Sequence, residues 1–392
     1  MKLALIGFGQ AGGKIVDKFL EYEQRTGQDV VRCPIAVNSA TVDLQGLERV
    51  PEENRVLIGQ SRVKGHGVGA DNELGAEVAE ADLDEIQAAI DRVPVHEVDA
   101  FLVVAGLGGG TGSGGAPVLA KHLEHVYEEP VFGLGVLPAA DEGGIYTLNA
   151  ARSFRTFVRE VDNLLVFDND AWRSAGESMA EGYDAINEEI VTRFGVLFGA
   201  GEAETGDEVA ESVVDSSEII NTLDGGGIST VGYASEPVER SDHDGFLSRL
   251  AGGSGGSDCD AVDTTNRITS LVRKAALGRL TLPCDVDGAE KTLLVAGGPP
   301  EHLDRKGIER GRKWLEEETG SMEVRGGDYP LPGSDSVAGV VLFSGVHQVP
   351  RVKELQKVAI EAQDNIEEIR TESEDNLQSL VHEGAEEIAP LY

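Results

Sequence analysis

Five of the seven residues from Gly108 to Gly114 are glycine, and the other two, Thr111 and Ser113, carry hydroxyls. The run follows Ala100 to Val104, an unbroken apolar stretch with the character of a buried strand. A tight turn alone is satisfied by one or two glycines. A longer glycine run lets backbone N–H groups close round an anion, and the hydroxyls add donors suited to a di- or triphosphate. A buried strand that ends in such a loop and passes into a helix belongs to an α/β architecture.

The rest of the first half agrees. Apolar runs at Leu3–Ile6, Ile35–Val37, Val56–Ile58, Val131–Leu137 and Leu164–Phe167 read as strands. Helical patterns fall between them, at Lys14–Tyr22, Glu73–Ile90, Ala116–Val126 and Thr147–Val161. Continuous apolar strands alternating with helices indicate a parallel sheet covered on both faces. A long helix is expected from Ser178 to Phe198, with Ile186, Ile190, Phe194 and Leu197 at helical spacing. The pattern then changes to a smaller mixed sheet. Strands are expected at Ser229–Ala234, Leu280–Pro283, Thr292–Val295, Met322–Val324 and Val337–Phe343, with helices near 267–277 and 302–318. Residues 236–263 are rich in Gly, Ser and Asp and read as a loop, and Val352–Ile369 as an acidic amphipathic helix.

The chain has 392 residues, 70 of them acidic and 33 basic, for a net charge of −37. Such a surface repels nucleic-acid backbones and anionic lipid. The excess is spread along the whole chain, as in proteins adapted to a salt-rich cytosol that screens carboxylates over a few ångströms. Three cysteines, Cys33, Cys259 and Cys284, give neither a disulfide framework nor zinc spacing. His122 and His125 lack acidic or Cys partners at ligand spacing, so no metal site is expected from them. The apolar run at Leu3–Phe8 is too short for a secretory leader, and no run reaches membrane-spanning length. An intracellular soluble protein is expected.

A second glycine loop, Gly7-Phe8-Gly9-Gln10-Ala11-Gly12-Gly13-Lys14, follows the first strand. By itself it also fits a dinucleotide fingerprint. That site wants an acidic residue at the end of the second strand, where this chain has Asn38-Ser39. A Walker loop needs Gly-Lys-Ser/Thr, and here Ile15 follows Lys14. A nicotinamide dehydrogenase is therefore the weaker enzyme reading.

The Gly108–Gly114 run is similar to the signature loop of the tubulin and FtsZ superfamily, which comprises GTP-binding, filament-forming proteins. Other segments resemble that family in order along nearly the whole chain. Gln10-Ala11-Gly12 is similar to the tubulin form of the first loop, and Asn38-Ser39-Ala40 to the segment after the second strand. Gly67 to Gly75 resembles the FtsZ loop that senses the γ-phosphate. Glu142-Gly143 resembles the ribose loop, and Asp168-Asn169-Asp170 the segment that closes on sugar and base. Tyr183 and Asn187 stand where the family stacks an aromatic on guanine and reads the base edge. Val214-Asp215-Ser216-Ser217-Glu218 resembles the loop that meets the next subunit's nucleotide.

The resemblance implies an α/β fold of tubulin/FtsZ type. A Rossmann-like GTPase domain with a parallel sheet would cover 1–177, and a central core helix 178–205. A smaller C-terminal α+β domain would cover 206–369, before an acidic tail at 370–392. The implied ligands are GTP or GDP with Mg²⁺. They would be bound by Gly9, Gln10, Ala11, Gly12, Lys14, Asn38, Gly69, Ala70, Asp71 and Asn72. Gly106, Gly108, Gly109, Gly110, Thr111, Gly112, Ser113 and Gly114 would follow, with Glu142, Asn169, Tyr183 and Asn187 on the sugar and base. No protein metal cage is expected. Asp215 and Glu218 would complete hydrolysis in the next subunit of a head-to-tail filament, one carboxylate accepting a proton from water.

Some positions depart from the family pattern. FtsZ has a basic residue four after the ribose-loop glutamate, and this chain has Tyr146. The blend of tubulin-like and FtsZ-like loops on an acidic chain is most similar to CetZ, the tubulin-like proteins of halophilic archaea. That likeness implies a cytoplasmic role in cell shape and motility, in filaments or patches near the envelope, with self-association and adaptor proteins as partners. An FtsZ-like division protein and a GTP-binding protein that does not hydrolyse are the alternatives.

Overall fold

The computed structural model describes residues 1–173, 179–201, 213–238 and 257–362. The chain opens β1 (Leu3–Phe8), α1 (Gly9–Thr26), β2 (Val31–Asn38), α2 (Thr41–Gln45) and β3 (Arg55–Leu57). Next come α3 (Asn72–Ala81), α4 (Leu83–Ile90), β4 (Ala100–Gly106), α5 (Thr111–Val126), β5 (Val131–Leu137), α6 (Gly144–Phe157), β6 (Asn163–Asp168) and α7 (Asn169–Trp172). The long α8 (Met179–Ala200) and α9 (Ser216–Leu223) lead to β7 (Ile228–Pro237), α10 (Ser257–Leu277) and β8 (Lys291–Gly298). The remaining elements are α11 (Arg305–Thr319), β9 (Glu323–Pro330), β10 (Ser336–Ser344) and a helix over 350–362.

The strands form one sheet in the order β3-β2-β1-β4-β5-β6-β7-β10-β8-β9. The first six are parallel, as continuous apolar strands require. Side chains alternate between two cores. Ala4, Ile6 and Phe8 of β1 enter one, while Leu3 and Leu5 enter the other with Phe19, Phe194 and Phe198. Helix α8 fills this second core and packs on α1 as well as on β7, β8 and β10, so it braces both halves of the sheet.

The halves meet at a narrow seam. β6 and β7 pair over two residues only, Leu164 with Ile228 and Leu165 with Ser229. Beyond that point Thr281 fills the gap. Its carbonyl accepts from Asp168 N–H at 2.8 Å, and its own N–H donates to the Val231 carbonyl at 2.9 Å. Leu280–Pro283, expected as a strand from its apolar content, is this irregular bridging segment, because it links the end of β6 to Val231 within β7 and continues neither ladder.

The expected helix Glu73–Ile90 is two helices. It breaks at Asp82, whose carboxylate leaves the helical pattern to accept the Gly59 N–H. Helix α5 starts at Thr111, five residues ahead of the first apolar residue of its pattern, Ala116. Residues 257–263, read as loop, open α10. The core of that loop, 239–256, and the tail over 370–392 lie outside the described residues. Among the described residues no helix is long and apolar enough to cross a membrane.

Candidate functional site

In an open parallel sheet, binding clefts form beyond the C-terminal strand ends, where the strand order reverses. Here that point lies between β1 and β4, and a cleft of about 520 Å³ occupies it. Helices α1 and α5 both begin at its edge, and neither has a side-chain cap or an acidic residue in its first turn. By contrast α3, α9 and α11 are capped by Asp71, Asp215 and Asp304. Two helix first turns with no acidic residue of their own, in a chain with 70, present N–H groups and positive dipole ends to an incoming anion.

The loops round this cleft pack backbone to backbone. A Cβ on Gly12 would stand 2.2 Å from the Val104 carbonyl, and one on Gly114 2.1 Å from the Asn72 carbonyl. Gly109 differs, since a Cβ there would meet nothing within 4 Å. Asn149, from α6, ties the loops together. Its side-chain amide donates to the carbonyls of Ala70 at 2.7 Å, Gly108 at 3.1 Å and Gly109 at 3.3 Å. Ala70 has a φ of +63°, a left-handed conformation that costs a non-glycine residue roughly 1 kcal/mol or more. The Asn149 bond helps hold it.

The polar rim is similarly cross-linked. The Ser39 and Thr111 hydroxyls lie 2.7 Å apart. The side-chain amides of Gln10 and Asn38 both donate to Asp43, each at 3.1 Å. At the other end Glu142 accepts the Ala139 N–H at 2.7 Å. Burial, and then the Glu142 carboxylate bonded to its hydroxyl, push the Tyr183 phenol up to about 12. Tyr183 is therefore a neutral aromatic at physiological pH.

Gly9, Gln10, Ala11, Lys14, Asn38, Gly69, Ala70, Gly106, Gly108, Gly109, Gly110, Thr111, Gly112, Glu142, Asn169, Tyr183 and Asn187 all line the cleft. Gly12, Asn72, Ser113 and Gly114, which are buried, and Asp71, which is exposed, do not line it. Asp71 caps α3 and Ser113 donates to the Gly109 carbonyl. The sequence reading passed over Asp43, His66, Pro138 and Ile186 in the wall and Asn149 behind it. Each is a lone polar or ordinary residue with no local motif to mark it.

Asp215 and Glu218 are not brought to the cleft. A Cβ on Gly201 would sit 2.7 Å from Met1 N and 3.1 Å from Ser216 Cα, which places the α9 start beside the N-terminal end of β1. The cleft lies past the other end, beyond the six residues of β1, roughly 20 Å at about 3.3 Å each. The two acids differ in character. Asp215 accepts from Ser217 Oγ at 2.5 Å and from the Glu218 N–H at 2.9 Å, and these bonds hold its carboxyl below the usual range. Burial, and then the Asp215 charge, raise Glu218. Of the pair, Glu218 is the better proton acceptor.

His122 bonds Gln87 Oε1 at 2.6 Å and His125 the Lys121 carbonyl at 2.7 Å. Among the described residues no group of three or more His, Cys, Asp or Glu could hold a metal ion.

Residues 2–177 match the family model of the Tubulin/FtsZ family, GTPase domain, and residues 176–361 that of the tubulin-like CetZ C-terminal domain. The chain is 75% identical to the tubulin-like protein CetZ1 of Haloferax volcanii over 373 residues, 94% of each chain. The chain belongs to the CetZ family. Two solved CetZ structures are similar to it over their whole length. One is the GDP-bound monomer of CetZ1 from Haloferax volcanii, with a TM-score of 0.83 and 70% identity, covering 93% of this chain and 100% of that one. The other is the GTPγS-bound protofilament of CetZ2 from the same organism, with a TM-score of 0.82 and 49% identity, covering 94% and 100%. The tubulin/FtsZ fold and a cytoskeletal, GTPase-type family follow for this CetZ chain.

Proposed function

We propose that the chain binds guanosine nucleotide in the cleft and polymerises head to tail, each subunit completing its neighbour's site for GTP hydrolysis. The observation that carries this reading is the separation of the acidic pair from the cleft by the length of β1. One chain cannot bring Glu218 to its own nucleotide, whereas a copy stacked on the cleft presents it from outside. The protofilament form of CetZ2 supports such stacking.

In this reading the N-termini of α1 and α5, with Lys14, hold the phosphates. Tyr183 stacks on the base, Asn187 reads its edge, and Glu142 and Asn169 contact the sugar side. Gly12, Asn72, Ser113 and Gly114 shape the loops from behind, and Asp71 caps α3 at the surface. Glu218 of the next subunit takes a proton from water as the water oxygen bonds to the terminal phosphorus. The bond to the bridging oxygen breaks, leaving GDP and phosphate. Mg²⁺ would be held through phosphate oxygens and water, since the described residues form no carboxylate cage. We divide the chain into a nucleotide domain over 1–177, a core helix over 178–205, an assembly domain over 206–369 and a tail over 370–392. The cellular role we assign is control of cell shape and motility from cytoplasmic filaments.

The test is GTP turnover against protein concentration in molar potassium chloride with Mg²⁺, alongside light scattering. Specific activity should rise steeply above a threshold together with scattering. A rate strictly proportional to protein, without scattering, would remove the shared site.

A further inference from the structure

Helix 350–362, from the far end of the chain, reaches back to the cleft through one side chain. Arg351 is 8% exposed. Its Nη2 donates to the Pro138 carbonyl at 2.8 Å, its Nε lies 3.5 Å from Asp168 Oδ1, and its Nη1 donates to Glu354 at 3.0 Å. Pro138 is part of the cleft wall, and Asp168 precedes Asn169, which is another part.

The segments that Arg351 grips are also joined to one another. The Ala140 N–H donates to Asp170 Oδ1 at 2.8 Å, and Arg173 pairs with Asp141. The Asp168 carboxylate accepts the Asp170 N–H at 3.3 Å and so caps α7. Two loops from two strand ends, β5 and β6, thus form one wall, with the Arg351 guanidinium buried behind it. The guanidinium hydrogen-bonds the Pro138 carbonyl and faces the Asp168 carboxylate as an ion pair, its Nε making no hydrogen bond there, and a lysine ammonium cannot reproduce this planar arrangement equally well.

We infer that Arg351 is a positioning residue for the nucleotide, setting the sugar-side wall of the cleft through the Pro138 carbonyl and the Asp168 carboxylate. It acts without touching the ligand, and it makes helix 350–362 part of the nucleotide site. The inference rests on the nucleotide reading above.

Asp168 supplies a readout that a merely structural role would not move. Burial pushes its carboxyl up to about 6, against the pull of Arg351; Asp170 and Glu354 add smaller upward pushes, and the bond from the Asp170 N–H a downward one. Removing the guanidinium lets this group titrate at higher pH.

The experiment is calorimetric titration of GDP into the full chain, in molar potassium chloride from about pH 5 to about pH 8.5, for wild type, Arg351→Gln and Arg351→Lys. Arg351→Gln should weaken GDP binding roughly tenfold to a hundredfold, the loss of one charge-assisted hydrogen bond. Its affinity–pH profile should shift upward relative to wild type. Arg351→Lys keeps the charge and should show an intermediate affinity with a nearly unshifted profile, which keeps the test open if the Gln variant fails to fold. Wild-type affinity and profile in both folded variants would overturn the inference while leaving the nucleotide reading intact. A wild-type chain that bound no GDP would overturn both.

Discussion

Gly9 and Gly112 touch across the cleft floor, so that a Cβ on Gly9 would stand 2.7 Å from the Gly112 backbone nitrogen. The first turns of α1 and α5 converge here with no side chain between them, which lets one anion use both helix ends.

Glycines in these loops therefore separate by function. Gly112→Ala places a Cβ 2.8 Å from the Phe8 carbonyl and should cost about 1–3 kcal/mol of stability as well as nucleotide affinity. Gly109→Ala has open space at its Cβ and should leave stability within roughly 0.5 kcal/mol while weakening GDP binding. Thermal melts with GDP titrations on both variants check this.

Asn149 gives a sharper case. Asn149→Asp removes every donor and places a carboxylate against the carbonyls of Ala70, Gly108 and Gly109. It should be more damaging than Asn149→Ala in both melting temperature and GDP affinity, by about 1–3 kcal/mol in stability. Equal effects would mean that the loops hold their shape without this tie.

Glu218→Gln should leave GDP affinity in dilute subunits unchanged. It should lower GTP turnover in polymer by roughly 10²-fold or more, the usual worth of a general base. Pelleting with GTPγS separates lost turnover from lost assembly.

Asp168 sets a pH dependence of known sign. Its folded value of about 6 lies above the ordinary 3.8, so the folded chain holds this proton more tightly than the unfolded chain. The stability it contributes is fully present below the ordinary value and is lost as pH rises through about 6, a change of about 3 kcal/mol. Asp168→Asn cannot ionise, so its stability relative to wild type should increase between about pH 4 and about pH 7. Denaturant melts across that range measure it.

With −37 charges per subunit, stacking is repelled wherever the screening length is long. Light-scattering assembly with GTP should require molar salt and fail in dilute buffer.

What the sequence made legible follows from the range of the forces involved. Ala100–Gly106 and Val131–Leu137 declare themselves, because strands buried on both faces must be apolar throughout. The glycine loops are legible because close backbone packing admits nothing larger. Asp82 is not, since one more acid in an acidic run gives no sign that it will cap Gly59 instead of extending a helix. Leu280–Pro283 has strand-like composition, and only tertiary partners decide that it bridges two strands. Asn149 and Arg351 act on carbonyls tens to hundreds of residues away, and a carbonyl is chemically anonymous in a sequence.

The seam between β6 and β7 has a mechanical consequence. A regular ladder resists bending because every residue along it must be distorted together. Here two residue pairs and the Thr281 bridge make the backbone joint, and Asn163 adds side-chain bonds, its amide donating at 3.0 Å to the Leu223 and Gly226 carbonyls and to Ser344 Oγ and its Oδ1 accepting from Ser229 Oγ at 2.6 Å. Backbone hydrogen bonding is therefore sparsest along a single crease, with longer ladders on either side and α8 packed across it. A change of angle between the two halves would break the fewest backbone bonds at that crease, which runs within a few residues of Asp168 and the cleft wall.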